Sequence, residues 1–212
     1  MTVAVLASGE LKKEFLERKF PDDTDIIWCD TLKTLGMVEA DVYFDLLYRN
    51  DSERNAQLEK IKDKTVFIGA VNNIVEKEYK FIRLNNWPGF LKRDIVEVAA
   101  STEEQVAEIK EIFEKLGWIY RLVPNKPGFI SARVVAMIIN EAYYALGENV
   151  STREDIDTAM KLGTNYPYGP FEWTKLIGLK NIYSLLQEMA RENERYQPAP
   201  AMKEEWEMRN KN

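Results

Sequence analysis

An α/β Rossmann-like domain with a mostly parallel sheet, followed by an all-α domain, is the fold class this sequence predicts. Three observations carry the prediction. Short apolar runs alternate with helix-prone stretches as far as Val123, which implies parallel strands with helices on the sheet faces. Two prolines and a glycine then fall within Pro124-Asn125-Lys126-Pro127-Gly128 and punctuate the chain. Beyond them no strand signal is found. The reading is therefore an α/β domain over 1–124 and a helical domain over 125–212.

The elements follow in order. Thr2 to Leu6 (TVAVL) is a compact apolar run closed by Ala7-Ser8-Gly9, and Leu11 to Lys19 is helix-prone. Further strands are expected at Asp25–Cys29, Asp41–Leu47, Thr65–Gly69, Lys80–Leu84, Asp94–Ala99 and Trp118–Val123, with helices near 52–62 and 102–116. Ser101 with Glu104 makes a capping box for the last of these. Val106, Ile109, Phe113 and Leu116 form its apolar face, and Gly117 stops it. In the second domain a long helix is expected over Phe129–Leu146, burying Ile130, Val134, Met137, Ile138 and Ala145 and ending at Gly147. A box of Ser151 and Glu154 opens the next helix, which Gly163 ends. Gly169-Pro170 starts another, with proline at the first helical position. Leu179 to about Glu194 is the last long helix, and the polar tail from Tyr196 is expected to be irregular.

Composition narrows the chemistry. The chain has 212 residues, a 45% apolar and 30% charged make-up, and a net charge of −6. Such a chain buries a core without disulfides or metals. It lacks the basic face that nucleic-acid binding needs. It contains no histidine, so every Ser-His or Cys-His pair, every histidine base and every histidine metal ligand is excluded. A single cysteine, Cys29, rules out intrachain disulfides and thiolate zinc sites. No carboxylate spacing suggests a calcium or magnesium loop. No signal peptide or membrane span is expected, since Met1 leads at once into a strand-like run and no apolar stretch reaches about 18 residues. The expected compartment is the cytoplasm.

The second half carries an ordered set of residues. Pro127-Gly128-Phe129-Ile130, Arg133, Asn140-Glu141-Ala142, Asp155-Ile156-Asp157, Ala159-Met160, Leu162-Gly163, Tyr166-Pro167, Gly169-Pro170-Phe171-Glu172 and Gly178-Leu179 follow one another, with Arg195-Tyr196 and Pro198 beyond. This pattern strongly resembles the C-terminal domain of the 3-hydroxyacyl-CoA dehydrogenases over about residues 124–200. The resemblance implies a preceding NAD-binding Rossmann domain, a homodimer made by the helical domain, and hydride transfer between a 3-hydroxyacyl-CoA and the nicotinamide. The resemblance thus makes residues 1–124 a shortened Rossmann-like dinucleotide-binding-type domain, trimmed between Asp30 and Asp41 and near residue 55.

Position by position, the resemblance thins toward the chemistry. The glycine-rich turn after the first strand matches Ala7-Ser8-Gly9-Glu10-Leu11-Lys12, where only Gly9 remains. A middle glycine lets the backbone approach a pyrophosphate, while Lys12 forfeits the close packing of the third. Glu10 suits the helix dipole but repels a pyrophosphate, which Lys12 or Lys13 partly offsets. Asp30 lies 21 residues after Gly9, the spacing of a ribose acceptor, and reads equally as a cap of the next helix. Asp45 resembles an acidic position that orients cofactor and neighbours.

The family's His-Glu dyad falls on Asn85 and Glu97, and its asparagine three residues after the histidine falls on Pro88. A one-residue slip brings Asn86 near one of these sites. The family's serine maps to Asn72, which reads also as a helix cap before Ile74, and a further asparagine is Ala132 here. An amide donates to a carbonyl oxygen but moves no proton at neutral pH. Of this group only Glu97 is retained. The reading is a catalytically impaired relative that keeps an acyl-CoA or nucleotide cleft and a dimerisation domain. An active NAD-dependent enzyme with non-standard residues and a ligand-free dimeric scaffold are the alternatives.

Overall fold

The computed structural model describes residues 1–61, 63–75 and 79–210. The chain forms two compact units, Met1–Phe129 and Ile130–Asn212, so the break falls just past the Pro-Gly punctuation.

The first unit carries strands β1 (Thr2–Leu6), β2 (Asp25–Cys29), β3 (Val42–Asp45), β4 (Thr65–Ile68), β5 (Phe81–Leu84), β6 (Ile95–Ala99) and β7 (Ile119–Leu122). All seven expected runs form strands, trimmed by a residue or two where an end lacks a ladder partner. They make one sheet in the order β2-β1-β3-β4-β5-β6-β7. Every pairing is parallel except β5 with β6, where Leu84 faces Val98. The full Rossmann order continues past β2 with a third strand. Here the chain passes from β2 to β3 through one short helix, and β2 is the sheet edge.

Alternation along the strands sorts the side chains onto two faces. On one face Val3, Val5, Phe44, Phe67, Ile82, Leu84, Val96 and Val98 form a core with helices α1 (Gly9–Leu16) and α4 (Glu103–Leu116). Its centre is aromatic: Phe44 stacks on Phe67 at 4.8 Å, and Phe15 and Trp118 meet Phe44 edge-on or tilted. On the other face Ala4, Leu6, Tyr43, Val66, Ile68 and Phe81 pack with α2 (Leu32–Leu35) and α3 (Ser52–Leu58). The same parity puts Asp45, Arg83, Asn85 and Glu97 on this second face.

Two helix starts differ by one residue from expectation. Thr102, not Ser101, caps α4 by accepting from Gln105 N, while Gln105 Oε1 accepts from Ser101 N at 2.6 Å. Gly117 ends α4 in the left-handed region, as expected. In the helical unit Thr152, not Ser151, caps α6 (Arg153–Thr164) with Asp155, and the helix runs past Gly163 to a left-handed Asn165. Adjacent Ser-Thr pairs are both able to cap, and backbone geometry chooses.

The helical unit holds α5 (Ser131–Gly147), α6, α7 (Pro170–Ile177), α8 (Leu179–Ala190) and α9 (Pro200–Asn210). The buried face of α5 is Ala132, Ala136, Ile139, Asn140 and Tyr143, not the expected stripe. Ile130 and Val134 are 52% exposed, and Met137, Ile138 and Ala145 are only half-buried. Small residues let the packed helices approach closely, which a search for large apolar positions misses. The tail expected to be irregular is α9, seated on α5 by buried Ala199 and Met202. Asn140 anchors its entry, donating to Gln197 O at 2.9 Å and accepting from Ala199 N at 2.8 Å. At α7, Gly169 and Pro170 take the expected cap and first positions. Asp157 reaches across from α6 to accept from Phe171 N and Glu172 N, and a Cβ on Gly169 would collide with it.

Candidate functional site

Connections from β1 run to β2 on one side and, through the next crossover, to β3 on the other. In such a sheet the ligand crevice opens at the carboxyl ends of the strands where the order reverses, here between β1 and β3. Of the expected cofactor residues, Gly9 follows β1, Asp45 ends β3, and Asp30 follows β2, on the far side of β1. Gly9 is the first residue of α1, with Ser8 in extended backbone before it. A Cβ on Gly9 would meet nothing within 4 Å, so close backbone approach from outside is unhindered. Glu10 pairs with Lys13 at 2.7 Å, which spends its charge locally. Lys12, at the third glycine position, lays its ammonium over the Trp28 ring at 4.5 Å.

Asp30 is exposed at the carboxyl end of β2. Its alternative as a cap is set aside, because Thr31 caps α2 in a reciprocal box with Thr34. Asp45 is a different matter. It is completely buried, and both its oxygens are taken by the Arg54 fork, Nε to Oδ2 at 2.7 Å and an Nη to Oδ1 at 2.5 Å. Leu47 N adds a third donor. Burial raises the Asp45 carboxyl and the guanidinium works against that rise. Asp45 therefore holds α3 to the sheet, and its complete burial closes it to a cofactor.

The dyad positions do meet. Asn85 Nδ2 donates to Glu97 Oε2 at 2.9 Å, and Asn85 N donates to Glu97 O at 3.0 Å across the antiparallel β5–β6 pair. Asn85 is 2% exposed, while Glu97 is half-buried. Asn85 Oδ1 accepts from Trp87 N, which fixes the amide's orientation. Asn86 takes its own place: its amide donates to Leu46 O at 2.7 Å and lies where a Cβ on Gly69 would be. The glycine is thus needed by the amide packed against it. Asn72 follows β4 in an irregular stretch, and no helix begins at the described residues 73–75, so the cap reading finds no support.

Three groups escaped the sequence reading. Arg54 completes Asp45, nine residues on. Glu14 and Arg18, one turn apart on α1 and just past it, clamp the loop after the Asn85 strip. Glu14 Oε1 accepts from Gly89 N at 2.6 Å, and Arg18 donates to the carbonyls of Leu91 and Arg93. Burial raises the Glu14 carboxyl and lowers Arg18 to about 10. The third, Arg83, had a visible signal, a lone cation within the apolar run FIRL. Among the described residues no cluster of three or more Asp, Glu or Cys stands ready for a metal. Nor is any described helix long and apolar enough to cross a membrane.

Comparison with known proteins places the second half first. The 3-hydroxyacyl-CoA dehydrogenase C-terminal domain matches residues 128–211. The 3-hydroxyadipyl-CoA dehydrogenase of Escherichia coli is 39% identical over 110 residues, which are 50% of this chain and 23% of that protein. The human mitochondrial hydroxyacyl-coenzyme A dehydrogenase is 30% identical over 141 residues, 64% of this chain and 45% of the relative. The chain thus spans less than half the length of either. The structure of the (S)-3-hydroxybutyryl-CoA dehydrogenase of Ralstonia eutropha superposes with a TM-score of 0.74 at 19% identity, covering 96% of this chain and 92% of that one, which shows a shared fold.

Proposed function

We propose, on the premise that the chain belongs through residues 128–211 to the 3-hydroxyacyl-CoA dehydrogenase family, that it is a catalytically impaired relative which keeps an acyl-CoA or nucleotide cleft. The observation that carries this reading is the Asn85–Glu97 pair. Its geometry is that of a donor held by a carboxylate at 2.9 Å. Its chemistry is not that of a proton relay, because a carboxamide neither accepts nor delivers a proton near neutral pH. Loss of a positioned acid–base group costs about 10²–10⁴ in rate. Asn72 and Pro88 do not supply one.

NAD, when bound, supplies or accepts the hydride. Gly9 and Asp30 are the residues that would hold it, at the open first turn of α1 and at the carboxyl end of β2. Asp45 takes no part. A homodimer through the helical unit is supported by the apolar side chains that unit leaves exposed, Leu162 at 82% and Ile130, Val134 and Leu176 among them. The single cysteine suits a reducing compartment, and the cytoplasm is the one proposed.

The test is calorimetric titration with NADH and, separately, acetoacetyl-CoA. Binding of acetoacetyl-CoA or NADH is the expected result. Binding of neither would replace this reading with a ligand-free scaffold. Light scattering tests the dimer, and a monomer would contradict it.

A further inference from the structure

Arg83 is a buried cation with no part in the proposed cofactor or dyad positions. It stands in β5 opposite Ile68 of β4 and Ala99 of β6, on the second sheet face, and is 1% exposed. A strand interior normally fills such a place with an apolar side chain. Here the guanidinium donates to Ala70 O (2.8 Å) and Val71 O (3.1 Å), in the stretch between β4 and Asn72. It also donates to Asn125 Oδ1 (2.6 Å) and Lys126 O (3.3 Å), in the segment by which the chain leaves this unit. The Phe129 ring lies 4.9 Å from its centre. None of these partners is a carboxylate. A buried cation with no carboxylate partner among the described residues carries a large desolvation cost. Burial accordingly lowers its pKa to about 10. An apolar residue would avoid that cost. What only a rigid planar fork with five donors does is bridge acceptors on two separate stretches of backbone.

We propose that Arg83 is a positioning residue that locks the loop carrying Asn72 to the exit segment Asn125–Phe129, so that the two order and open as one. Two further bonds mark the junction. Val71 O, already an acceptor of Arg83, also accepts from Gly128 N at 2.8 Å, and Asn125 Nδ2 donates to Ser101 Oγ at 2.8 Å. A ligand that shifts Asn72 would by this route be felt at Gly128. The inference rests on the proposed function only in taking Asn72 as a site residue.

The test is amide hydrogen exchange by NMR on the whole chain without ligand, which separates its failure from any failure to bind acyl-CoA. The reporters are Gly128 N–H, bonded to Val71 O, and Ala70 N–H, bonded to Ile68 O. Arg83→Met and Asn125→Ala should each speed exchange at both reporters about 10- to 100-fold, the loss expected for charge-assisted bonds. Amides within β1 and β3 should stay unchanged, and Arg83→Lys should restore part of the protection. Equal acceleration throughout the unit would reduce Arg83 to a general stability role and overturn the proposal. So would a change at one reporter alone, or none. Asn125→Ala removes one acceptor of Arg83 together with the bond to Ser101 Oγ, leaves the guanidinium in place, and keeps the test valid if Arg83→Met does not fold.

Discussion

The two units use buried polarity differently. In the helical unit the buried Asp157 and Asn140 and the half-buried Glu205 each cap a helix or tie one to another. Asp157 caps α7 from α6, Asn140 brackets the entry to α9, and Glu205 on α9 accepts from Tyr143 of α5 and Arg153 of α6. In the sheet unit Asp45, Arg83, Asn85 and Asn86 gather near the carboxyl ends of β3 and β5 and bond, in turn, α3, the stretch after β4, β6 and the residue after Asp45. The half that matches the dehydrogenase domain therefore owes its residues to packing, and its likeness speaks for family and fold. The chemistry has to be read from the other half, and there the carboxylate that survives, Glu97, faces an amide.

That contrast can be broken from the helical side first. Phe171 is buried, edge-on to Tyr143 at 5.1 Å and covered by Arg153. Phe171→Ala should cost about 3–5 kcal/mol in urea unfolding. A loss under about 1 kcal/mol would remove the packing argument. Next, Asp157→Ala strips two charge-assisted bonds from the first turn of α7 and should cost about 1.5–3 kcal/mol. If stability held, Asp157 would be free for another role.

A smaller effect follows from Glu205. Burial pushes its carboxyl up, but Arg153, Tyr143 and Arg209 together outweigh that and hold it below the usual range. A depressed carboxyl adds stability that is complete above the unfolded-state pKa of about 4.3 and fades as pH falls through the lower folded value. Glu205→Gln should flatten the acid limb of the stability profile below about pH 4.3. An unchanged limb would show that the cluster is not ion-paired. The smallest effect belongs to the sheet unit. Glu97→Gln keeps an oxygen for Asn85 Nδ2 and should change stability by less than about 1 kcal/mol and ligand binding little. A large loss of binding would show that the carboxylate still acts.

Much of this was readable in the chain itself. Alternation and apolar runs located every strand, because a buried parallel strand has few ways to look. Gly117 and Gly169-Pro170 announced their turns through backbone needs that few other residues meet. The misses have a common cause in partners distant in sequence. Asp45 reads as a cofactor position until Arg54 is folded over it. Thr102 and Thr152 win their caps over neighbouring serines by geometry of a single turn. The face of α5 is chosen by α7 and α9, not by its largest apolar residues. Asn85 and Glu97 are paired by the family resemblance alone, because a separation of twelve residues does not by itself join them.

The proposed impairment turns on Asn85, an amide at the position where the resemblance implies a proton relay. Absorbance at 340 nm, followed with NADH and acetoacetyl-CoA both present in excess over the protein, tests it most directly. The expected result is no NADH loss above the uncatalysed background, with calorimetry showing acetoacetyl-CoA or NADH bound. Steady NADH oxidation at an enzymatic rate, abolished by Asn85→Ala, would contradict it and make this chain a working dehydrogenase.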